Sequence, residues 1–192
     1  MLTVLAREDL RARPILTERL ALLPIDPSDG QDLWFAVNGS RAELARFLPW
    51  VQFHDDITAS TRFTEACALD WDQGRAFRFV VRDREKQSMV GVVGLESIIH
   101  MHRSCELGYW LSTSATGKGF MTEASRGALD YAFGRVGAHR VRIAAATDNH
   151  RSLAVIARLG FRFEGIARQA EWCSGRWLDH AVFALLATDP RP

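Results

Sequence analysis

The sequence predicts a single α/β domain, a mixed sheet with helices on its faces. Three observations carry this. The chain has 192 residues, 47% of them hydrophobic, enough for one proper core and too few for several. Short apolar runs pair into hairpins on either side of a central strand, loop, helix and strand. Strands outnumber helices without the regular alternation that a doubly wound fold requires.

The elements follow in order. Residues 1–16 form a polar leader with no clear period and read as a fraying end; the domain proper spans 17–188. Leu20, Leu22 and Ile25 alternate with their neighbours as a short strand that stops at Asp26-Pro27. From Ser28 to Phe47 the spacing of Leu33, Trp34, Val37, Leu44 and Phe47 predicts a helical pair broken near Asn38-Gly39. Thr58 to Trp71 is a further helix, capped by Asp56 or Thr58 and stopped at Gly74. Phe77 to Arg82 and Met89 to Ile99 alternate and are rich in β-branched residues, hence a hairpin. Cys105 to Leu111 is a strand. A polar loop, Ser112 to Gly119, opens directly into a helix from Met121 to Phe133. Val141 to Thr147 is a strand, Asn149 caps a helix that ends at Gly160, and Phe161 to Glu171 with Trp177 to Ala187 form a second hairpin around Cys173-Ser174-Gly175-Arg176.

Composition excludes several functions. Lys plus Arg number 24 against 23 Asp plus Glu, for a net charge of +1, without the basic excess of a nucleic-acid binder. Three cysteines at wide spacing make neither a disulfide framework nor a C-x-x-C metal site, and they suit reduced thiols in a cytoplasmic protein. Charges scattered through the first twenty residues, and no long apolar run, leave no export signal and no membrane span.

Three places carry chemistry. Gly117-Lys118-Gly119 before a helix offers free backbone amides and the positive end of a helix dipole, a setting for an anion; a glycine-assisted turn explains the same residues. Asn149 and Ser152, three apart at a helix start, read as a cap and equally as ligand contacts. Glu171 ends a strand beside Trp172, an aromatic neighbour that raises a carboxylate's pKa by desolvation and suits a general base, unless the residue is simply solvated. His100-Met101-His102 lacks a third partner, so no metal is expected.

Taken together these stretches are specific. Glu106-Leu-Gly-Tyr-Trp-Leu111, Gly117-Lys-Gly-Phe-Met-Thr-Glu-Ala124, Asn149-x-x-Ser152, Leu159-Gly-Phe161, Glu164-Gly165 and Gln169-Ala-Glu-Trp172 occur in an order that resembles the GCN5-related N-acetyltransferases (GNAT). Thr17-Glu-Arg-Leu20 and Leu48-Pro-Trp50 resemble the RimJ/RimL branch, which acetylates ribosomal-protein N-termini.

The resemblance implies a mostly antiparallel sheet of six or seven strands, splayed at the centre, and acetyl-CoA as cosubstrate with no metal. Pantetheine would pair near Leu111 and Thr113, and backbone amides of Thr116, Gly117, Lys118, Gly119, Phe120 and Met121 would wrap the pyrophosphate. Asn149 would bond the pantetheine arm, with Arg151 near the 3′-phosphate. Glu171 would be the base that frees the amine, and Ser152 the acid that protonates the departing thiolate. Trp50 and Trp172 would wall the pocket of the acceptor, a protein N-terminus or a small amine; the carboxylates Asp55, Asp56, Glu65, Asp70 and Asp72 suit a cationic acceptor and equally a polar helix face. A homodimer through the last hairpin is in keeping with the branch. The alternative is a non-catalytic acyl-CoA-binding module. Thr116 stands where the family has Gln or Arg, which shifts phosphate binding toward backbone and toward Lys118, one of only two lysines against 22 arginines.

Overall fold

The structure, a computed structural model, describes residues 1–191. The chain runs α1 (Arg7–Ala12), β1 (Ile15–Leu16), β2 (Leu20–Pro24), α2 (Gly30–Asn38), α3 (Arg41–Leu44), α4 (Ile57–Asp72), β3 (Phe77–Asp83), β4 (Met89–Ile99) and β5 (Ser104–Leu111). It continues through α5 (Phe120–Tyr131), β6 (Arg140–Ala146), α6 (His150–Arg158), β7 (Arg162–Cys173) and β8 (Arg176–Leu186). All eight strands form one sheet in the order β1-β2-β3-β4-β5-β6-β8-β7. The β5–β6 pairing is parallel and every other pairing antiparallel. The count exceeds the expected six or seven because the two-residue β1 also pairs, Ile15 opposite Leu22.

The leader is the clearest departure from the sequence reading. Instead of fraying, residues 7–12 form α1, and Leu2 and Leu10 are buried in the main core. Leu2 precedes α1 and Leu10 is the one buried residue within it, so no repeating apolar face marks the segment in sequence. Arg7 and Arg11 hold the segment down through Asp26 at 2.8 Å and Asp29 at 3.0 Å.

Period-two alternation divides the sheet's side chains between two cores. On one face Phe77, Phe79, Val93, Leu95 and Leu107 pack under α5 and α6; on the other Val80 and Val92 pack under α2 with Leu33 and Val37. The first core centres on Trp71 and Phe79, ring centroids 5.0 Å apart, with Tyr131 5.2 Å from Phe79. Such edge-to-face pairs add about 0.5–1.5 kcal/mol each beyond area burial. The expected break of the first helical region falls at Gly39, between α2 and α3, and Asp56 rather than Thr58 caps α4, accepting from Ala59 N at 2.7 Å.

Two features position the site. β5 and β6 pair only over Ser104 to Glu106 with Arg140 to Arg142, and then part. The remainder of β5, to Leu111, stays on β4 alone, so the sheet opens into a V at its one parallel junction. The β7–β8 hairpin in turn shifts register between Ala167 and Glu171, where Gln169 has φ +48°. Such a bulge bends a strand and re-aims its side chains. The hairpin tip reaches α3: Ser174 Oγ donates to the Ala45 carbonyl at 2.6 Å. The hairpin's turn is tighter than expected, two residues, Ser174 and Gly175, both at positive φ as such a turn requires.

Candidate active site

A cleft of about 1090 Å³ runs from α5 and α6 through the V to α3. Its floor at the α5 end is the loop that follows β5. Gly117 and Gly119 both have φ +78°, a conformation that only glycine adopts freely. It turns the chain so that α5 starts at Phe120 with no side-chain cap. Among the described residues no partner takes the amide N–H of residues 117–122; the first N–H of this stretch to be taken is that of Glu123, by Gly119 O at 3.1 Å. Six successive free donors at a helix N-terminus form a nest for an anion.

The loop's polar side chains turn away from that nest. Thr116 Oγ1 donates to Thr113 O at 2.8 Å, and Lys118 Nζ donates to Ser114 O at 2.8 Å. The sequence argument gave Lys118 to the phosphate; in the structure its exposed ammonium donates to the loop's own Ser114 carbonyl. Thr113 N–H is also engaged, by Ser40 Oγ at 2.9 Å.

At the head of α6, Asn149 Oδ1 accepts the Ser152 N–H at 3.2 Å, so Asn149 is a cap, as its position predicts, and it also faces the cleft. Ser152 Oγ lies 2.9 Å from the hydroxyl of Tyr109 on β5, which also donates to Ser152 O at 3.3 Å. Burial pushes the Tyr109 phenol up to about 12, so it stays protonated at neutral pH. Sequence reasoning missed Tyr109. Its signal was a phenol in a strand of otherwise apolar and small residues, a group that seeks a partner when buried.

Glu171 stands on the opposite face of the sheet. Register places Glu106, Arg142, His180 and Glu171 together on the α2 side, whereas Tyr109 and Ser152 are on the α5–α6 side. Glu106 is ion-paired with Arg142, and His180 Nε2 lies 3.5 Å from Glu171 Oε2. The Glu171 carboxyl is raised above its ordinary range by burial, against the lowering effect of His180, with the Glu106 charge raising it further.

Leu111, Thr116, Gly117, Gly119, Phe120 and Met121 therefore line one cleft with Asn149 and Ser152; Thr113, Lys118, Glu171, Trp50 and Trp172 do not line it. Trp50 packs behind Trp110, centroids 5.9 Å apart, and it is Trp110 that faces the cleft. Trp172 packs edge-on against Trp177, centroids 5.3 Å apart, each more than half exposed. Most carboxylates expected to attract a cation are spent on structure: Asp56 caps α4, Asp70 binds Arg75 and Arg78, and Asp72 meets Arg7. Arg126, Arg151 and Arg158, by contrast, line the cleft from α5 and α6. Among the described residues no cluster of three His, Cys, Asp or Glu is placed to hold a metal, and no helix is long and apolar enough to cross a membrane.

An open V in a mixed sheet, with an amide nest at a helix start beside it, has close counterparts. The chain matches the acetyltransferase (GNAT) domain family over residues 19–162. It belongs to that family. YdaF of Bacillus subtilis (strain 168) is 28% identical over 173 residues, 89% of this chain and 93% of YdaF. The ribosomal protein uS5-alanine N-acetyltransferase of Escherichia coli (strain K12) is 34% identical over 121 residues, 62% of each chain. The solved structure of RimL, a ribosomal L7/L12 α-N-protein acetyltransferase in complex with coenzyme A, superposes with a TM-score of 0.85 at 26% identity, covering 88% of this chain and 95% of that one.

This GNAT protein is an acetyl-CoA-dependent N-acetyltransferase, an enzyme rather than a non-catalytic acyl-CoA-binding module. Its residues suit that cosubstrate. The free amides of residues 117–122 match a pyrophosphate, and the V leaves an edge of β5 unpaired, which an amide-bearing arm can join as a strand would.

Proposed function

We propose that this enzyme acetylates the α-amino group of a protein N-terminus, with the donor held on the α5–α6 face and the acceptor arriving from the face that carries Glu171. One observation carries the reading: β5 and β6 part beyond Glu106, with the cleft lined by α5 and α6 on one face and the Glu171 carboxyl, raised by burial, on the other. The names of the relatives support a protein acceptor.

Glu171 takes the ammonium proton, its raised pKa bringing it nearer the working pH of a base. The freed amine attacks the thioester carbonyl through the split, where a β5 amide stabilises the developing oxyanion. As the C–S bond breaks, Ser152 donates to the thiolate with Tyr109 behind it. The 117–122 amides hold the pyrophosphate, Asn149 bonds the pantetheine arm, and Arg151 reaches the 3′-phosphate. Trp50, through Trp110, bounds the acceptor side, whereas Trp172, next to Glu171 on β7 and opposite Trp177, lies on the other face. Three free, buried cysteines favour action in a reducing compartment such as the cytoplasm.

The test is a thiol-release assay with acetyl-CoA and three acceptors: peptides with a free α-amine, the same peptides N-terminally blocked but containing lysine, and small polyamines. Turnover on free α-amines alone supports the reading. Turnover confined to polyamines, or to lysine side chains, overturns the protein N-terminus as acceptor.

A further inference from the structure

The Thr17-Glu-Arg-Leu20 stretch takes no part in the chemistry above, yet it makes the most heavily bonded contact with the amide nest. Glu123, in the first turn of α5, accepts from Thr17 Oγ1 at 2.6 Å, from Arg19 N at 2.7 Å and from Arg19 Nε at 2.8 Å, and lies 2.7 Å from Arg19 Nη2. The other arm of the Arg19 fork, Nη1, donates to Lys118 O at 3.0 Å, and the guanidinium covers the Phe120 ring at 4.8 Å. Burial opposes ionisation of Glu123, but these bonds and the Arg19 charge outweigh it and hold the carboxyl below its ordinary range.

The turn that carries Arg19 is itself tied down. Thr17 N donates to Leu20 O at 2.9 Å, and Arg84 Nη1 donates to the carbonyls of Thr17 and Glu18 at 2.7 and 3.1 Å. A loop with two left-handed glycines is by contrast the least self-ordered kind of backbone. A trans peptide directs its C=O and N–H to opposite sides. By holding the Lys118 carbonyl, Arg19 turns the Gly119 N–H of the same peptide the other way.

We infer that Arg19 and Glu123 are positioning residues for the donor, a clamp that keeps the 116–121 loop in the shape that receives a pyrophosphate. The inference rests on reading that loop as the pyrophosphate site. The clamp acts by shape: Arg19 and Glu123 neutralise each other, and only a planar fork reaches both Glu123 and the Lys118 carbonyl. A lysine at this position keeps the charge but not the two-way hold.

The experiment measures dissociation constants by calorimetry, together with KM and kcat, for acetyl-CoA and for S-acetyl-pantetheine, which lacks the pyrophosphate. Wild type, Arg19→Ala, Arg19→Lys and Glu123→Gln are compared, with circular dichroism melts to confirm folding. The expected result is that wild type prefers acetyl-CoA, while all three variants bind it about tenfold more weakly, the size of losing hydrogen bonds to a charged group. Their kcat at saturation and their binding of S-acetyl-pantetheine stay near wild type. A preference that survives in folded Arg19→Ala and Glu123→Gln overturns the clamp alone, as does equal weakening for both donors. If wild type itself binds the two donors equally, the loop does not grip pyrophosphate, and both the loop reading and the clamp fall. Arg19→Lys behaving as wild type would overturn the shape argument in favour of charge.

Discussion

The hydroxyl of Tyr109 lies 2.9 Å from Ser152 Oγ, joining the splayed strand β5 to the head of α6 across 43 residues of sequence. On the proposed mechanism the pair acts as one proton-handling unit for the departing thiolate. Tyr109→Phe and Ser152→Ala should each lower kcat by about 10–100-fold, the lower range for a proton-transfer group. The double variant should lose much less than the product of the two, because each single change already breaks the shared bond. Steady-state kinetics on the four proteins test this; full multiplicativity would mean that the two hydroxyls act separately.

As the proposed base, Glu171 has to be deprotonated to accept the amine's proton, so kcat/KM should fall as pH drops through its pKa, which burial holds above the usual carboxylate range. Glu171→Gln should abolish that acidic limb and cost about 10²–10⁴ in rate while leaving acetyl-CoA binding intact. The neighbours shift the limb in opposite directions. Removing His180, whose charge lowers the pKa, should move it to higher pH, and Glu106→Gln should move it lower. A pH–rate profile of the variants decides; an unmoved limb would assign the base elsewhere.

Lys118 is bonded to Ser114 O and does not face the cleft. Lys118→Ala should therefore weaken acetyl-CoA binding by less than about threefold, in keeping with an exposed charge, and well below the effect of Arg19→Ala. Titration calorimetry distinguishes the two; a larger effect at Lys118 would return the phosphate to its side chain.

Leu10 is 3% exposed within the main core. Leu10→Ala should cost about 2–5 kcal/mol and lower the melting temperature by several degrees, without raising KM for acetyl-CoA. A melt unchanged from wild type would mean that the N-terminal segment is not docked in solution.

Much of the molecule is legible in order along the chain. The break at Asn38-Gly39, the caps at Asp56 and Asn149, the glycine loop before α5 and the two hairpins all follow from interactions within a few residues, which is the range over which periodicity, capping and turn chemistry act. The order of its motifs was enough to point to the acetyltransferase family. The leader was not legible, because α1 is held by partners as distant as Asp26 and Asp29 rather than by any pattern of its own.

The sequence by itself determined the strands and helices from Leu20 onward and the place of the glycine loop before α5, and its resemblance to a family pointed to Ser152 and Glu171 as acid and base. Only the tertiary structure decided how they meet. The V at β5–β6 puts Ser152 with Tyr109 on one face of the sheet and Glu171 with His180 on the other. It set Lys118 Nζ on the Ser114 carbonyl and brought Arg19 to Glu123 across 104 residues. The reason is physical: a side chain's face depends on strand register, and register, strand splay and a bulge such as that at Gln169 are set by packing between segments far apart in the chain.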